Sequence, residues 1–226
     1  NNIQQGWFLQ AGASGNSPIG AGYVYGFPQA SLAAQLHKPN AGGVFGAALT
    51  VGSAANYAGR PAVFGSFIYC GQSVASGFVR LGWDNSFTMG PVPGHGFVVA
   101  GNRLWRVGSP SGNLEGRFLL QSCGAGTDPL VAANWSATLI VGNGREPIQD
   151  IIALGDQVYL GLPDGIYAGD QSGTFINVVP ADTGADRENF RSLTIHNGEV
   201  VGQTAGQGLY TYRPGTDPKS RQIGPF

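Results

Sequence analysis

Trp83-Asp84-Asn85 sets an aromatic ring beside a carboxylate and an amide. That combination stacks on a flat apolar face and hydrogen-bonds the polar edge next to it, as a sugar ring requires. Trp7, Trp83, Trp105 and Trp135 have a second use, packing between sheets, and Trp105 fits it best. Asp182-Thr183-Gly184-Ala185-Asp186 could supply half of a carboxylate pair sharing one proton. A dimer supplying the other half would need a further long β segment after Asp186, and a single chain needs a second copy of the motif. The chain has none, and Val179-Pro180-Ala181 breaks the strand that would hold the first. The segment therefore reads as a turn. Asp156, Asp164 and Asp170 lack the Asp-x-Asp-x-Asp-Gly order of a calcium loop. His37, His95 and His196 each stand alone, outside any metal-ligand spacing, and read as solvated or turn residues. There is no Gly-x-Ser-x-Gly elbow, and no helical pattern follows Gly94-His95-Gly96. The expectation is a non-enzyme with no cofactor and no metal, contacting a ligand or partner through Trp83, Asp84 and Asn85.

The elements that would position these residues are strands. Ala62-Val63-Phe64 and Phe67 to Cys70 flank Gly65-Ser66, Phe97 to Ala100 and Leu104 to Val107 flank Gly101-Asn102-Arg103, and Ile151 to Leu154 and Gln157 to Leu160 flank Gly155-Asp156. Ser192 to Ile195 and Glu199 to Val201 flank Asn197-Gly198, the strongest short hairpin signal in the chain. Further strands are expected at 22–25, 44–49, 78–81, 117–121 and 136–141. Only Gln29 to Leu36 has helical composition, and it reads as a short helix or a loop.

Two C-terminal stretches repeat one another. Gly165-Ile166-Tyr167 recurs as Gly208-Leu209-Tyr210 at an offset of 43 residues, each closing two apolar strands joined by a polar turn. A unit of about 40–45 residues of antiparallel strand is the period of a β-propeller blade. Leu104-Trp105-Arg106-Val107 resembles the same third-strand phrase at an offset of 62, which implies an insertion around Ser122 to Trp135. The predicted fold is all-β, a propeller or partial propeller of about five antiparallel blades, with a β-sandwich-type fold as the alternative. Residues 1–226 read as one all-β domain, less regular over 1–61 and repeat-like over 62–226.

Composition narrows the partners. Charged residues make up 11% of the 226, net charge is −1, and Lys38 and Lys219 are the only lysines. Such a surface has no electrostatic footprint for nucleic acid, and no apolar run is long enough to insert in a membrane as a helix. The low charge implies a surface covered by partner subunits. Glycine, 38 of 226 without a Gly-X-Y period, belongs to tight turns. Cys70 and Cys123 are read as buried thiols, with one bridge as the alternative. Strand-like sequence begins by Gly6, so the polypeptide is expected to extend upstream of Asn1.

From Ala133 to Phe226 the chain resembles a family. Its phrases run Trp135, Val141-Gly142-Asn143, Pro147-Ile148, Gln157-Val158-Tyr159-Leu160-Gly161 and Pro163-Asp164-Gly165-Ile166-Tyr167. They continue through Glu188-Asn189, Asn197-Gly198-Glu199-Val200 and Gly208-Leu209-Tyr210-Thr211-Tyr212 to Ile223-Gly224-Pro225. The series is similar to β-propeller-like tail and minor structural proteins in the virions of tailed bacteriophages, with Asn143 where the family has Asp. The resemblance implies a virion location and a structural or host-adhesion role. The implied partners are other virion proteins in a homo- or hetero-oligomer and a host-surface glycan. A carbohydrate-binding propeller lectin is the alternative function.

Overall fold

The computed structural model describes residues 60–72, 77–82, 86–108, 119–181, 184–205 and 208–215 with their side chains, and otherwise the backbone of strands at 3–9, 23–28, 35–36, 49–50, 57–59 and 221–223. The chain is an antiparallel partial β-propeller. Two pairs come first, β1 (Ile3–Leu9) with β2 (Tyr23–Pro28) and β3 (Gln35–Leu36) with β4 (Leu49–Thr50). Four larger sheets follow, each a meander in chain order. The first holds β5 (Tyr57–Phe64), β6 (Phe67–Gln72), β7 (Val79–Gly82) and β8 (Phe87–Met89), and the second β9 (Gly96–Ala100), β10 (Arg103–Gly108) and β11 (Leu119–Gly124). The third holds β12 (Asp150–Leu154), β13 (Gln157–Leu162), β14 (Gly165–Gly169) and β15 (Phe175–Pro180), and the fourth β16 (Leu193–His196), β17 (Glu199–Thr204), β18 (Gly208–Tyr212) and β19 (Arg221–Ile223).

The turn residues explain the hairpins. Gly65, Gly101, Gly155 and Gly198 all sit at positive φ, and Asn102 and Asn197 join them at 57° and 49°. That left-handed geometry is what two-residue hairpin turns require. Turn to turn, from Gly65 to Gly101 to Gly155 to Asn197, the spacing is 36, 54 and 42 residues. The repeat is therefore real but uneven, and the second blade carries the excess.

Period-2 alternation fills a core on each side of a blade. In the second and third blades Trp105, Val107, Ile151, Val158, Leu160 and Tyr167 share one core, while Ile152, Tyr159, Ile166 and Ala168 turn the other way to meet Leu193, Val200 and Tyr210 of the fourth. A strand buried on both faces needs apolar residues at nearly every position, which is why β13 reads Gln-Val-Tyr-Leu-Gly-Leu rather than alternating. A third core, between the first and second blades, holds Tyr69, Phe78, Phe97, Leu104, Cys123 and Trp135. Gly161 lets the third blade touch the loop before the fourth, since a Cβ there would stand 2.2 Å from the Phe190 carbonyl oxygen. The outward face of the fourth blade is patterned for water. Thr194 and His196 are exposed at the turn-relative positions where the third blade has Ile152 and Leu154.

The first strands of the four sheets lie side by side, β5 by β9, β9 by β12 and β12 by β16, with β12 also touching β5. A polar pin joins three of them. Asp150 Oδ2 accepts from Arg60 Nη2 at 3.1 Å and from the Leu193 N–H at 2.8 Å, and Arg60 Nη2 also donates to the Leu193 carbonyl at 2.8 Å. Pro61, which has no N–H, falls where β5 and β6 shift register between Ala58 and Ala62, so the bulge removes the need for a ladder bond.

Several expectations are corrected. Gln35 and Leu36 are strand paired with Thr50 and Leu49, not helix, and residues 29–34 lie outside those described. Leu104 to Val107 is the second strand of its blade, paired with β9 and β11, so it matches β13 rather than the Gly-Ile-Tyr strand β14. Ser136 to Val141 forms no continuous strand; it meets β11 through one isolated bridge, Leu139 to Leu120, and Trp135 just before it bridges Cys123. His95 is buried, with its Nδ1 against the Gln72 carbonyl. Cys70 and Cys123, by contrast, are both free and buried, as expected from the sequence.

Burial gives the fold an alkaline limit. The Tyr69, Tyr159 and Tyr167 phenols are pushed up from 10.0 to about 12 and the Cys70 thiol from 9.0 to about 12, chiefly because the interior disfavours their charged forms. Their folded values exceed their unfolded ones. The stability they confer is therefore complete below pH about 9 and is lost as pH rises toward about 12. A titration followed by phenolate absorbance and circular dichroism should show these tyrosines ionising together with unfolding. Tyrosines that titrate near 10 with the fold intact would contradict this.

Candidate functional site

The connection that follows the third strand of the second blade builds a developed surface feature. After β11 the chain runs through Ala125 to Trp135 in a loop held by its own side chains. The Thr127 hydroxyl donates to the Gly124 carbonyl at 2.6 Å, and Asp128 Oδ1 accepts the Leu130 N–H at 3.0 Å. Asn134 Nδ2 donates to the Asp128 carbonyl at 2.9 Å, next to one 3-10 turn at Ala132–Asn134. Trp135 then enters the core between the first two blades and returns its indole N–H to the Pro129 carbonyl at 2.9 Å. The ring lies edge-on to Phe78 and 4.8 Å beneath the Arg106 guanidinium. Arg106 is itself buried and donates to the Pro93 carbonyl and Gln121 Oε1; burial lowers its pKa from 12.5 to about 10, so it stays charged at neutral pH.

Between this loop and the first blade lies a cleft of about 650 Å³. That is within the range of about 300–1,000 Å³ usual for ligand pockets. Phe64, Phe67, Tyr69, Val99 and Pro129 give it apolar walls, and Ser66, Asn102, Arg80 and Asp128 its polar groups. Arg80 leaves β7 and stacks its guanidinium 4.3 Å from the centre of the Phe67 ring. Its Nη1 donates to Asp128 Oδ1 at 3.2 Å, and it meets the Tyr69 hydroxyl. Asp128 is 51% exposed at its side chain and Arg80 20%, so the pair sits at the mouth, not under it. The cleft's two charges cancel.

Trp83, Asp84 and Asn85 lie outside the described residues; their flanks meet through a 2.8 Å hydrogen bond from Gly82 N–H to the Ser86 carbonyl. Asp182, Thr183 and His37 also lie outside them. Asp186 caps a turn, accepting the Glu188 N–H at 2.9 Å, and Asp170 does the same for Ser172 at 2.8 Å. Asp164 accepts the Tyr167 hydroxyl at 2.9 Å. Among the described residues no group of three or more His, Cys, Asp or Glu is placed to hold a metal, and no helix is long and apolar enough to cross a membrane. Sequence reasoning missed the cleft. Its usable signal was the paired phenylalanines, Phe64 and Phe67, around the Gly65-Ser66 turn.

No family model matches the chain, and no curated protein matches it by sequence. Solved structures do. The extracellular domain of BT4673 from B. thetaiotaomicron is similar with a TM-score of 0.66 at 18% identity, over 97% of this chain and 27% of that one. PorZ, a bacterial surface component of the type-IX secretion system of Porphyromonas gingivalis, gives 0.61 at 13%, over 89% and 25%. A streptogramin B lyase gives 0.67 at 14%, over 96% and 67%. The chain thus spans about a quarter of the first two and two thirds of the lyase. These neighbours overturn the resemblance to tailed-phage virion proteins and the virion structural or adhesion role it implied. The phrases behind it, such as Asn197-Gly198 and Gly165-Ile166-Tyr167, are hairpin turns and strand starts, geometry that a blade needs in any setting. At these identities the likeness shows the fold alone, and the fold is a β-propeller in part.

Proposed function

We propose that this chain acts by recognition, without covalent chemistry, receiving a ligand or a partner segment in the cleft between its first two blades. One observation carries this reading: the connection after β11 opens with a self-braced loop whose outer side is the cleft wall. Binding residues concentrate on loops held by a rigid scaffold. The ionisable groups support recognition over catalysis. Asp128 is engaged by Arg80, Asp150 by Arg60 and Leu193, and Asp164 by Tyr167, so each carboxylate already performs a structural task. Amide chemical-shift mapping with a fragment library tests it. Hits should move Ser66, Phe67, Asn102, Thr127 and Asp128 together and be recovered unchanged. Shifts confined to other faces, or consumption of a hit, would overturn the proposal.

A further inference from the structure

We propose that Asn197 is a site of self-modification: its side-chain amide is lost to the backbone nitrogen of Gly198, with His196 moving the proton, and a neutral hairpin tip becomes anionic. Asn-Gly occurs twice in the chain, at Asn143-Gly144 and Asn197-Gly198. Glycine, lacking a Cβ, leaves its own backbone nitrogen unshielded toward the asparagine before it. The two copies differ in what holds them. At the first, the Gly144 N–H donates to the Val141 carbonyl at 3.3 Å and Asn143 Oδ1 accepts the Arg145 N–H at 2.8 Å, so nucleophile and amide are both engaged. At the second, the ladder between β16 and β17 closes on His196 and Glu199, and the Gly198 N–H at the tip takes no part in it. His196, Asn197 and Gly198 are all exposed, and a Cβ built on Gly198 would meet nothing within 4 Å among the described residues. Asn197 Nδ2, the nitrogen that must leave, lies 3.1 Å from His196 Nε2.

The step balances without an outside reagent. The Gly198 nitrogen attacks Asn197 Cγ, and the new C–N bond closes a cyclic imide. The Cγ–Nδ2 bond breaks, and Nδ2 leaves as ammonia with the proton that the Gly198 nitrogen gives up. An imidazole on the leaving nitrogen can take that proton and deliver it, which is general acid–base assistance. Water then opens the imide at either carbonyl, leaving aspartate or isoaspartate. Ring closure needs rotation about the Asn197 backbone, which an exposed tip allows. The product adds a negative charge to a chain of net charge −1, beside Glu199, which pairs with Arg213 at 2.8 Å. Isoaspartate also lengthens the backbone of a turn whose geometry fits two ordinary residues. The site stands apart from the cleft, whose walls include none of these residues.

Incubation of the full chain near neutral pH in heavy-oxygen water, with timed peptide mapping by mass spectrometry, tests this. The peptide carrying Asn197 should convert to the acid, taking up heavy oxygen and giving both aspartate and isoaspartate. It should do so about tenfold faster than the peptide carrying Asn143, whose two hydrogen bonds must first break. In denaturant the two rates should converge, because the dipeptides are the same and only the fold separates them. His196→Ala, at an exposed strand end, should slow conversion at Asn197 at least about threefold, with the circular dichroism spectrum and the Asn143 rate unchanged. Loss at Asn143 as fast as at Asn197 in the folded chain, a rate at Asn197 indifferent to His196→Ala, or no conversion at either site would overturn the inference. The recognition reading of the cleft stands or falls separately, on the fragment mapping.

Discussion

Asp150→Ala is expected to lower stability by about 3 kcal/mol and the melting midpoint by about 6–12 °C. The size follows from what the carboxylate joins. Its Oδ2 holds Arg60 of β5 and the Leu193 N–H of β16, and its Oδ1 holds the Ile151 N–H of its own strand at 2.9 Å. Asp150 is only 10% exposed, so the groups it leaves behind regain little water. Arg60, at 26%, can partly rehydrate, which keeps the loss near the lower end for a broken buried pair. The remaining Arg60 contact to the Leu193 carbonyl cannot replace the lost acceptor, because Leu193 N–H is a donor. Replacing both charges, Arg60→Met with Asp150→Leu, should recover part of the loss, since two apolar groups leave no unpaired charge. Thermal melts of the single and double variants measure the coupling. An unchanged midpoint in Asp150→Ala would mean that the three inner strands are held by apolar packing alone.

That pin was invisible in the sequence, and the contrast with the hairpins shows why. Gly65-Ser66, Gly101-Asn102, Gly155-Asp156 and Asn197-Gly198 were legible because positive φ is a local demand that few residue types meet. The buried role of Trp105 was legible too, since its neighbours Leu104 and Val107 make a run apolar on both faces. Arg60, Asp150 and Leu193 carry no mark in common; topology alone brings residues 90 and 133 positions apart together. The cleft has the same character. Phe67, Asn102 and Asp128 come from two hairpin turns and a loop, and none forms a motif. The misaligned Leu104 phrase has a further cause. Second and third strands of a doubly covered blade share one apolar pattern, so period-2 alternation cannot tell β10 from β14. Pairing partners can, and only the structure supplies them.

Trp135→Ala should be more damaging still, at about 4 kcal/mol and about 8–16 °C. The indole is 7% exposed, packs against Phe78 and Phe97 with ring centres 6.0 and 6.5 Å away, and lies under Arg106. Its removal opens a cavity in the core between the first two blades and leaves the Arg106 cation without its aromatic face. The informative companion is Trp135→Phe. That variant keeps most of the ring contact but cannot donate to the Pro129 carbonyl, so it separates packing from loop bracing. It should cost only about 1–2 kcal/mol in the melt. Hydrogen exchange should nevertheless quicken at Val131 and Asn134, whose N–H groups bond back to Asp128 and Val131 within the loop, while β13 keeps its protection. Ligand binding in the cleft should weaken with it, because Pro129 and Asp128 form a wall fixed from behind by that bond. If loop exchange and blade exchange rise in equal proportion, the loop has no bracing of its own, and the cleft is a by-product of blade packing rather than a built recognition site.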